Sequence, residues 1–346
     1  MTDSLQQQLL TATATVAAAA PFFAAASLLL SGLHLGRHLS NFALPVQLYT
    51  CRILLMVPVM AACSWLSLVY PTAAPALSAA IGGYEAFTLW TFVQLLLSYL
   101  GGEASHGEWL ELRRPLRLPW PWGRCLRRVP LGPRFLRLVR QGALQFVVVK
   151  PVAEAMALLL DHVGLYDKGS FSLKRGYVYL SLCTNTSISV ALYSLLLFYL
   201  ASRSRLLPFH PVPKVLSVKL VVFVMYWQGC ALMGLVWLRL LPRPSDAARL
   251  QHALVCCEML GASVLHCFAF PVSEFADHEE RQAQPLLSGL KRVLDVNDTL
   301  EEGVDLVAGR QRGSRGRREE REMEDQPANA LSALNADVRW EPELAE

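Results

Sequence analysis

The sequence predicts an all-α polytopic membrane protein in which seven transmembrane helices form a bundle. Of its 346 residues, 53% are hydrophobic and only 17% are charged, against about 45–50% and about 25% in soluble domains. Seven apolar stretches approach the roughly 20 residues that a helix needs to cross a bilayer. The stretches are continuous rather than alternating, which excludes a transmembrane β-barrel and predicts helices that satisfy their own backbone hydrogen bonds in lipid.

The predicted spans follow one another at 13–33, 53–69, 84–100, 144–160, 176–200, 215–241 and 247–270. The second and fourth are near the lower limit of about 17 residues, so the pattern defines their existence better than their ends. The first could instead be a secretory signal peptide. However, the preceding segment MTDSLQQQ contains an acid and no base, which favours an uncleaved span.

Charge is distributed unevenly, and its distribution predicts the orientation. Residues 1–270 hold 22 Lys and Arg against 10 Asp and Glu, a net charge of +12, whereas residues 271–346 hold 10 against 18, a net charge of −8. With the N-terminus outside, the inner loops 34–52, 101–143 and 201–214 contain fourteen basic residues, against about four in the outer loops. Basic residues favour the cytoplasmic side of short loops, so the N-terminus is predicted outside and the tail inside.

The pattern divides the chain into four parts. Residues 1–12 form an extracellular or lumenal N-terminus, and residues 13–270 form the seven-helix domain, with a basic cytoplasmic loop at 103–141. Residues 271–309 form a juxtamembrane cytoplasmic segment that is partly helical, because its apolar residues recur at spacings near three and four. Residues 310–346 are charge-dense and poor in apolar side chains, which predicts a disordered tail.

The basic loop mixes arginine with tryptophan and proline in RRPLRLPWPWGRCLRRVPLGPRFLRLVR. Such a segment can lie on the anionic inner leaflet, where each base contributes on the order of 1 kcal/mol; the alternative is that it only fixes the topology. Nucleic-acid binding is not expected of a loop held at a membrane. Cys125 in this loop is a candidate for palmitoylation, with an inert thiol as the alternative. No cysteine falls in a predicted outer loop, so no disulfide framework is expected.

Ionisable residues inside the spans are candidates for a functional site, because a charge in lipid is costly unless it reaches a partner, water or the interface. The clearest case is QFVVVKPVAEAMALLL, where Lys150 and Glu154 are four residues apart and therefore lie on one helical face. Pro151 removes a backbone hydrogen bond beside them and predicts a bend. The pair can line a solute pathway, as in transporters with interrupted helices, or it can simply neutralise itself.

Other polar residues in the spans join this pair as candidates. Glu258 lies near the middle of the seventh span, and His266 lies about two turns further along the same face, where it could also be interfacial. Glu85 and Lys219 are close enough to span ends that snorkelling to the interface is an alternative. Asn185 belongs to a polar band in the fifth span, which can contact a solute or join helices through hydrogen bonds.

Signatures of several other classes do not occur in the sequence. It contains no Walker P-loop, no H-E-x-x-H and no G-x-S-x-G motif, so neither an ATP-driven pump nor an enzyme is predicted and no cofactor is expected. Cys256 and Cys257 have no companion ligand pair, so no metal site is expected. These arguments leave a transporter and a receptor open.

Six runs of sequence, in this order and spacing, resemble the organic solute transporter alpha / transmembrane protein 184 family. They are CRILLMVPVMAACSWLSLVYP (51–71), YEAFTLWTFVQLLLSYLGGE (84–103), QFVVVKPVAEAMALLL (145–160), GYVYLSLCTNTSISVALYSLLLFY (176–199), PFHPVPKVLSVKLVVFVMYWQG (208–229) and EMLGASVLHCFAFPVSEF (258–275). KRVLDVNDT (291–299) also resembles a family segment, and the resemblance covers about residues 35–300. Two positions depart from the pattern: QLYTCRI (47–53) lacks a basic residue beside Gln47, and IGGYEAF (81–87) lacks a charged residue before Tyr84.

The resemblance implies a seven-span protein with its N-terminus outside, embedded in the lipid bilayer of the plasma membrane or an endosomal or vesicular membrane. It further implies transport of amphipathic organic solutes, such as steroid- or bile-acid-like anions, by a facilitative or exchange mechanism. A single-span beta-type subunit or a second copy of the chain would be the partner. The alternative is a seven-span receptor or membrane-trafficking scaffold without transport activity.

On the transport hypothesis, each candidate residue has an expected role. Lys150 offers a cation to an anionic solute, while Glu154 and Glu258 set the local charge. Asn185 and Gln228 add hydrogen bonds, and Trp227 adds apolar contact.

Overall fold

The computed structural model describes residues 2–40, 45–116, 119, 129–166, 173–209, 211–275, 286–295, 297, 301 and 304–306. Among these residues the secondary structure is helical, apart from one isolated bridge between Leu116 and Val129. The helices are α1 Thr2–Ser40, α2 Pro45–Leu54, α3 Met56–Val69, α4 Ala74–Tyr99, α5 Gly102–Glu111, α6 Pro133–His162, α7 Gly176–Leu206, α8 Pro211–Trp237, α9 Pro244–Ala269 and α10 Leu286–Leu294.

Seven helical segments are long and apolar enough to cross a membrane, which confirms the predicted seven-helix bundle. They are Gln6–Ser40, Val46–Val69, Pro71–Tyr99, Pro133–His162, Gly176–Leu206, Pro211–Trp237 and Pro244–Ala269. Most helices run past the apolar stretches. Helix α1 begins at Thr2, inside the predicted N-terminal segment, and α2 contains Arg52, which was predicted to lie in a loop. The apolar pattern stops at the first polar residue, whereas a helix continues where polar side chains find partners or snorkel.

Neighbouring spans follow the order α7, α6, α4, α3, α9, α8, and α1 packs against both α3 and α9. Helix α4 is the most enclosed span, whereas α7 and α8 are the most exposed, as expected of helices that face lipid. The core centres on Trp90 of α4, with Met60 from α3 and Phe146 from α6 also fully buried.

Glycines set the sharp turns that join the helices. Gly101 and Gly102 follow α4 with φ angles of +81° and +88°, a region that side chains with a Cβ adopt only at a cost. The YLGGE cluster therefore turns the chain from α4 into α5. Gly132 has φ +145°, and Pro133 begins α6 immediately after it, at a position where proline loses no helical hydrogen bond.

Helices α1, α4, α7 and α9 end, and α2, α6 and α8 begin, at the same end of the bundle. We call it the basic end. Helix α10, at Leu286–Leu294, is a helical part of the segment 271–309. It folds back onto the basic end. The buried Arg52 donates through Nε to the Val293 carbonyl at 3.1 Å and through Nη2 to the Asp295 carbonyl. Cys125 and the tail at 310–346 lie outside the described residues.

Candidate functional site

The predicted ion pair forms within α6. Lys150 Nζ lies 2.8 Å from Glu154 Oε1, and the two side chains remain 19% and 29% accessible. Helix α6 continues through Pro151 as one unbroken α-helix. Both charges are thus held on one face of a span without being sealed in the protein interior.

Helix α4 provides the space for this pair through a glycine. A Cβ atom placed on Gly82 would lie 2.8 Å from Lys150 Cε, closer than real Cβ contacts allow, and a tight 3.0 Å from Glu154 Oε1. The backbone of α4 at Gly82 therefore forms one wall of the charge pair. At the adjacent Gly83, the same atom would meet only Pro151 Cγ, at 4.0 Å.

A second pair of charges lies about one turn further along α4. Glu85 is within electrostatic reach of Lys219, which comes from α8. Because Gly82 and Glu85 are three residues apart, they lie on neighbouring faces of α4. Two bases and two acids from α4, α6 and α8 are thus grouped about residues 82–85, and their formal charges sum to zero. We call these four side chains the α4 charge cluster.

Tyr166, in the turn after α6, also interacts with this cluster. Its backbone N–H donates to the Leu160 carbonyl at 3.1 Å, folding the turn back over the helix end. Burial first, and then the negative charge of Glu154, raise the pKa of Tyr166 to about 12. The phenol is therefore protonated at neutral pH and can donate a hydrogen bond. Residue spacing along a single helix could not reveal Tyr166, because it is the turn after α6 that brings this residue back toward Glu154.

A separate polar pair joins α8 to α9. Gln228 Nε2 donates to Glu258 Oε1 at 2.7 Å. The second carboxylate oxygen, Glu258 Oε2, and Gln228 Oε1 are buried and have no hydrogen-bond partner among the described residues. Two predicted residues are thus in direct contact, and the carboxylate keeps unused acceptor capacity inside the bundle.

Three predicted residues are not brought into either group. Asn185 is exposed and donates to Ser181 of its own helix at 2.8 Å. Trp227 is 57% exposed and contacts the rings of Phe223 and Tyr226. His266 is buried near the end of α9, where its ring packs edge-on against Phe270 at 5.7 Å.

Sequence reasoning missed a cluster of histidines at the basic end. His34 Nε2 and His38 Nε2 both donate to the Phe270 carbonyl, at 3.0 and 3.2 Å. A carbonyl oxygen only accepts, so each Nε2 carries the proton. Lys214 Nζ donates to Tyr99 Oη at 2.7 Å and lies 6.0 Å from the Phe270 ring centre. The spacing of four between His34 and His38 was the available signal.

A fourth buried histidine lies on α5, outside the spans. His106 Nε2 is 2.7 Å from Ser202 Oγ, which ties α5 to α7. Burial first, and then the positive charge of Arg205, lower the pKa of His106 to about 4. This imidazole is therefore neutral at physiological pH, and its contact with Ser202 links α5 to α7.

Comparison with known proteins agrees with the arrangement of spans. The sequence model of the organic solute transporter Ostalpha family matches residues 16–275, about three quarters of the chain. The chain belongs to the Ostalpha family. The predicted family is thus confirmed, and this member of a membrane solute transporter family is an integral multi-pass membrane protein.

A curated relative extends the comparison. A transmembrane protein 184 homolog from Dictyostelium discoideum is 33% identical over 264 residues, which cover 73% of this chain and 52% of the relative. The Ostalpha-family chain therefore spans about half the length of this relative. No solved structure matches this chain.

Proposed function

We propose that this Ostalpha-family protein carries amphipathic organic anions, of steroid- or bile-acid-like character, by facilitated movement or exchange. The solute's anionic group would bind at Lys150 in the α4 charge cluster. The observation that carries this proposal is the Lys150–Glu154 pair, which lies against Gly82 and remains partly accessible. An ionisable group inside a span is costly unless it reaches a partner, water or the interface, and the accessible part of this pair is where an anionic group would meet the lysine.

The chemistry of the cluster suits a reversible anion site. The Lys150 ammonium has three donors, and Glu154 occupies one of them. An incoming carboxylate or sulfate can use the others, or it can displace Glu154. Since the cluster carries two acids as well as two bases, the acids offset part of the attraction of the bases for an incoming anion. The site can therefore bind a charged solute without holding it so tightly that release becomes slow.

Glu258 and Gln228 form a second solute-binding site in the proposal. The unused acceptor at Glu258 Oε2 suits a hydroxyl donor on a sterol-like solute, and Gln228 Oε1 offers a second acceptor. His266, Asn185 and Trp227 would act outside the anion site, with Trp227 on the exposed face of α8.

The orientation and partners belong to the same proposal. The N-terminus would be outside, the basic end would be cytoplasmic, and the exposed faces of α7 and α8 would be available to a single-span subunit or a second copy. A trafficking scaffold is the second candidate function. It is favoured by the docking of α10 at the basic end, where Arg52 donates to the carbonyls of Val293 and of the adjoining Asp295.

A flux assay on the purified full chain in proteoliposomes tests this proposal. The sharpest variant is the charge exchange Lys150→Glu with Glu154→Lys, which keeps two opposite charges four residues apart on α6. We expect the exchanged protein to fold and insert but to lose uptake of a radiolabelled bile-acid or steroid-sulfate anion. Arg134→Gln removes an exposed cation from the same helix and should leave uptake unchanged.

The outcomes separate the two candidate functions. Wild-type proteoliposomes that move no organic anion would contradict the transport proposal and favour a scaffold. Uptake by the exchanged variant at the wild-type rate would mean that the pair only neutralises itself. In that case transport would stand and the role of Lys150 would fall.

A further inference from the structure

Two arginines converge on one tryptophan at the basic end. The guanidinium carbon of Arg113, which follows α5, lies 4.3 Å from the ring centre of Trp109. The guanidinium carbon of Arg205, near the end of α7, lies 4.6 Å from the same ring. Cations at this distance from an indole are attracted by its π electrons. We call Trp109, Arg113 and Arg205 the arginine clamp.

The clamp is held in place by its surroundings. The Trp109 ring stacks on the imidazole of the fully buried His106, with ring centres 5.3 Å apart and planes 22° from parallel. His106 is in turn hydrogen-bonded to Ser202. Arg113 Nη2 donates to Ser204 Oγ at 2.9 Å. These contacts join α5 to α7 and position the two guanidinium groups before any ligand arrives.

The positive charge of the clamp is not neutralised within the described part of the chain. No carboxylate there forms an ion pair with Arg113 or Arg205, and Glu103 of α5 pairs with Arg140. Arg205 makes no hydrogen bond through its guanidinium group to a described residue. The positive charge of Arg113 also repels the positive charge of Arg205. The adjoining sequence 117–128 contains four further arginines and no acid.

The clamp lies at the end of a span, the level at which lipid headgroups are expected. Arg205 is within the last turn of the span Gly176–Leu206. Two leucines beside the arginines are strongly exposed: Leu112 is 88% accessible and Leu207 is 53% accessible. Apolar side chains next to cations at a span end match the boundary between acyl chains and headgroups.

We propose that the arginine clamp binds the phosphate-bearing headgroup of an anionic phospholipid. Guanidinium groups present forked donors that match phosphate oxygens in bidentate geometry. A headgroup with a phosphomonoester, as in a phosphoinositide, carries more charge than a phosphodiester and uses both arginines at once. Leu112 and Leu207 then lie beside the first methylenes of the acyl chains. Binding joins α5 to α7 and is independent of the solute site at the α4 charge cluster.

Lipid retention by the purified full chain tests this inference. The protein is reconstituted in phosphatidylcholine vesicles with a few mole per cent of phosphatidylinositol bisphosphate, re-extracted, and examined by native mass spectrometry for co-purifying lipid. We expect Arg113→Gln with Arg205→Gln to reduce retention of the phosphorylated lipid about tenfold. The matched control is Arg114→Gln with Arg203→Gln, which removes two exposed arginines from neighbouring positions, whereas the guanidinium groups over the Trp109 ring are those of Arg113 and Arg205. It should retain lipid like the wild type.

Further arms keep the result decisive. Equal losses in both double variants would overturn the inference, because retention would then follow overall charge. Soluble inositol phosphate that competes at equal concentration would assign the site to a free phosphate rather than a lipid, which also contradicts it. If the Gln variant does not fold, Arg113→Lys with Arg205→Lys keeps the charge but loses the forked donors. Unchanged retention in that variant would overturn the inference as well.

Discussion

Replacing Gly82 with alanine should impair transport without weakening the fold. The new Cβ atom would lie 2.8 Å from Lys150 Cε, and ordinary contact begins at 3.4 Å, so the lysine side chain must move by at least about 0.6 Å. The obstructing atom belongs to a flexible side chain, so it can give way. The helix itself gains about 1 kcal/mol, because alanine favours the helical state more than glycine.

The size of the effect follows from the geometry of the ion pair. Moving Lys150 Nζ from 2.8 Å to about 3.4 Å from Glu154 Oε1 weakens their attraction by about 1 kcal/mol at an effective dielectric constant of about 20. A change of that size corresponds to about a fivefold change in an equilibrium constant. An anion bound to Lys150 in its present position would lose a similar amount of attraction, so its apparent affinity should fall by about the same factor.

Gly83→Ala is a closely matched control for this prediction. It makes the same substitution one residue away, and its Cβ meets only Pro151 Cγ at 4.0 Å. Both variants should be at least as heat-stable as the wild type in detergent, but only Gly82→Ala should change KM for uptake into proteoliposomes. Identical uptake by the two variants would refute the reasoning, because it would show that the position of Lys150 does not matter.

Two further predictions concern the basic end. The folded-state pKa of His106 is about 4, against about 6.5 when unfolded, so its contribution to the free energy of unfolding is fully present above pH 6.5. That contribution, about 3 kcal/mol in total, is lost as the pH falls toward 4. His106→Gln should therefore flatten the fall in Tm over this range, whereas parallel Tm curves for His106→Gln and the exposed-residue control His162→Gln would contradict the prediction. Arg52→Leu should release α10, since it removes the charged donors that bind the Val293 and Asp295 carbonyls, and each such hydrogen bond is worth about 1.5–3 kcal/mol. Trypsin should then cut at Lys291 and Arg292 at least about tenfold faster than in the wild type. Equal cleavage rates in Arg52→Leu and the control Arg249→Leu would contradict the docking of α10.

The sequence predicts contacts within one helix far better than contacts between helices. Lys150 and Glu154 were paired correctly because a spacing of four fixes their relation on any α-helix. The contact between Gln228 and Glu258 depends on how α8 and α9 are rotated against each other, which spacing does not encode. Gly82 went unrecognised for the same reason, because a glycine in an apolar run carries no sign of what lies opposite. Arg52 was placed in a loop because hydropathy treats a charge as the end of a span.

The polar groups also differ in which helices they join, and this difference bears on how a solute would cross. Lys150 and Glu154 lie where α6 packs closely on α4, and Gln228 and Glu258 lie where α8 packs closely on α9. Glu85 and Lys219 instead face each other across α4 and α8, which share few contacts. A shift of α8 and α9 relative to α4 and α6 would therefore separate Glu85 from Lys219 and leave the other two pairs intact. Since an unpaired charge in a span is costly, an anion bound at Lys150 and Lys219 would offset the part of that cost that falls on Lys219, so under the proposed function solute binding and helix movement would favour each other.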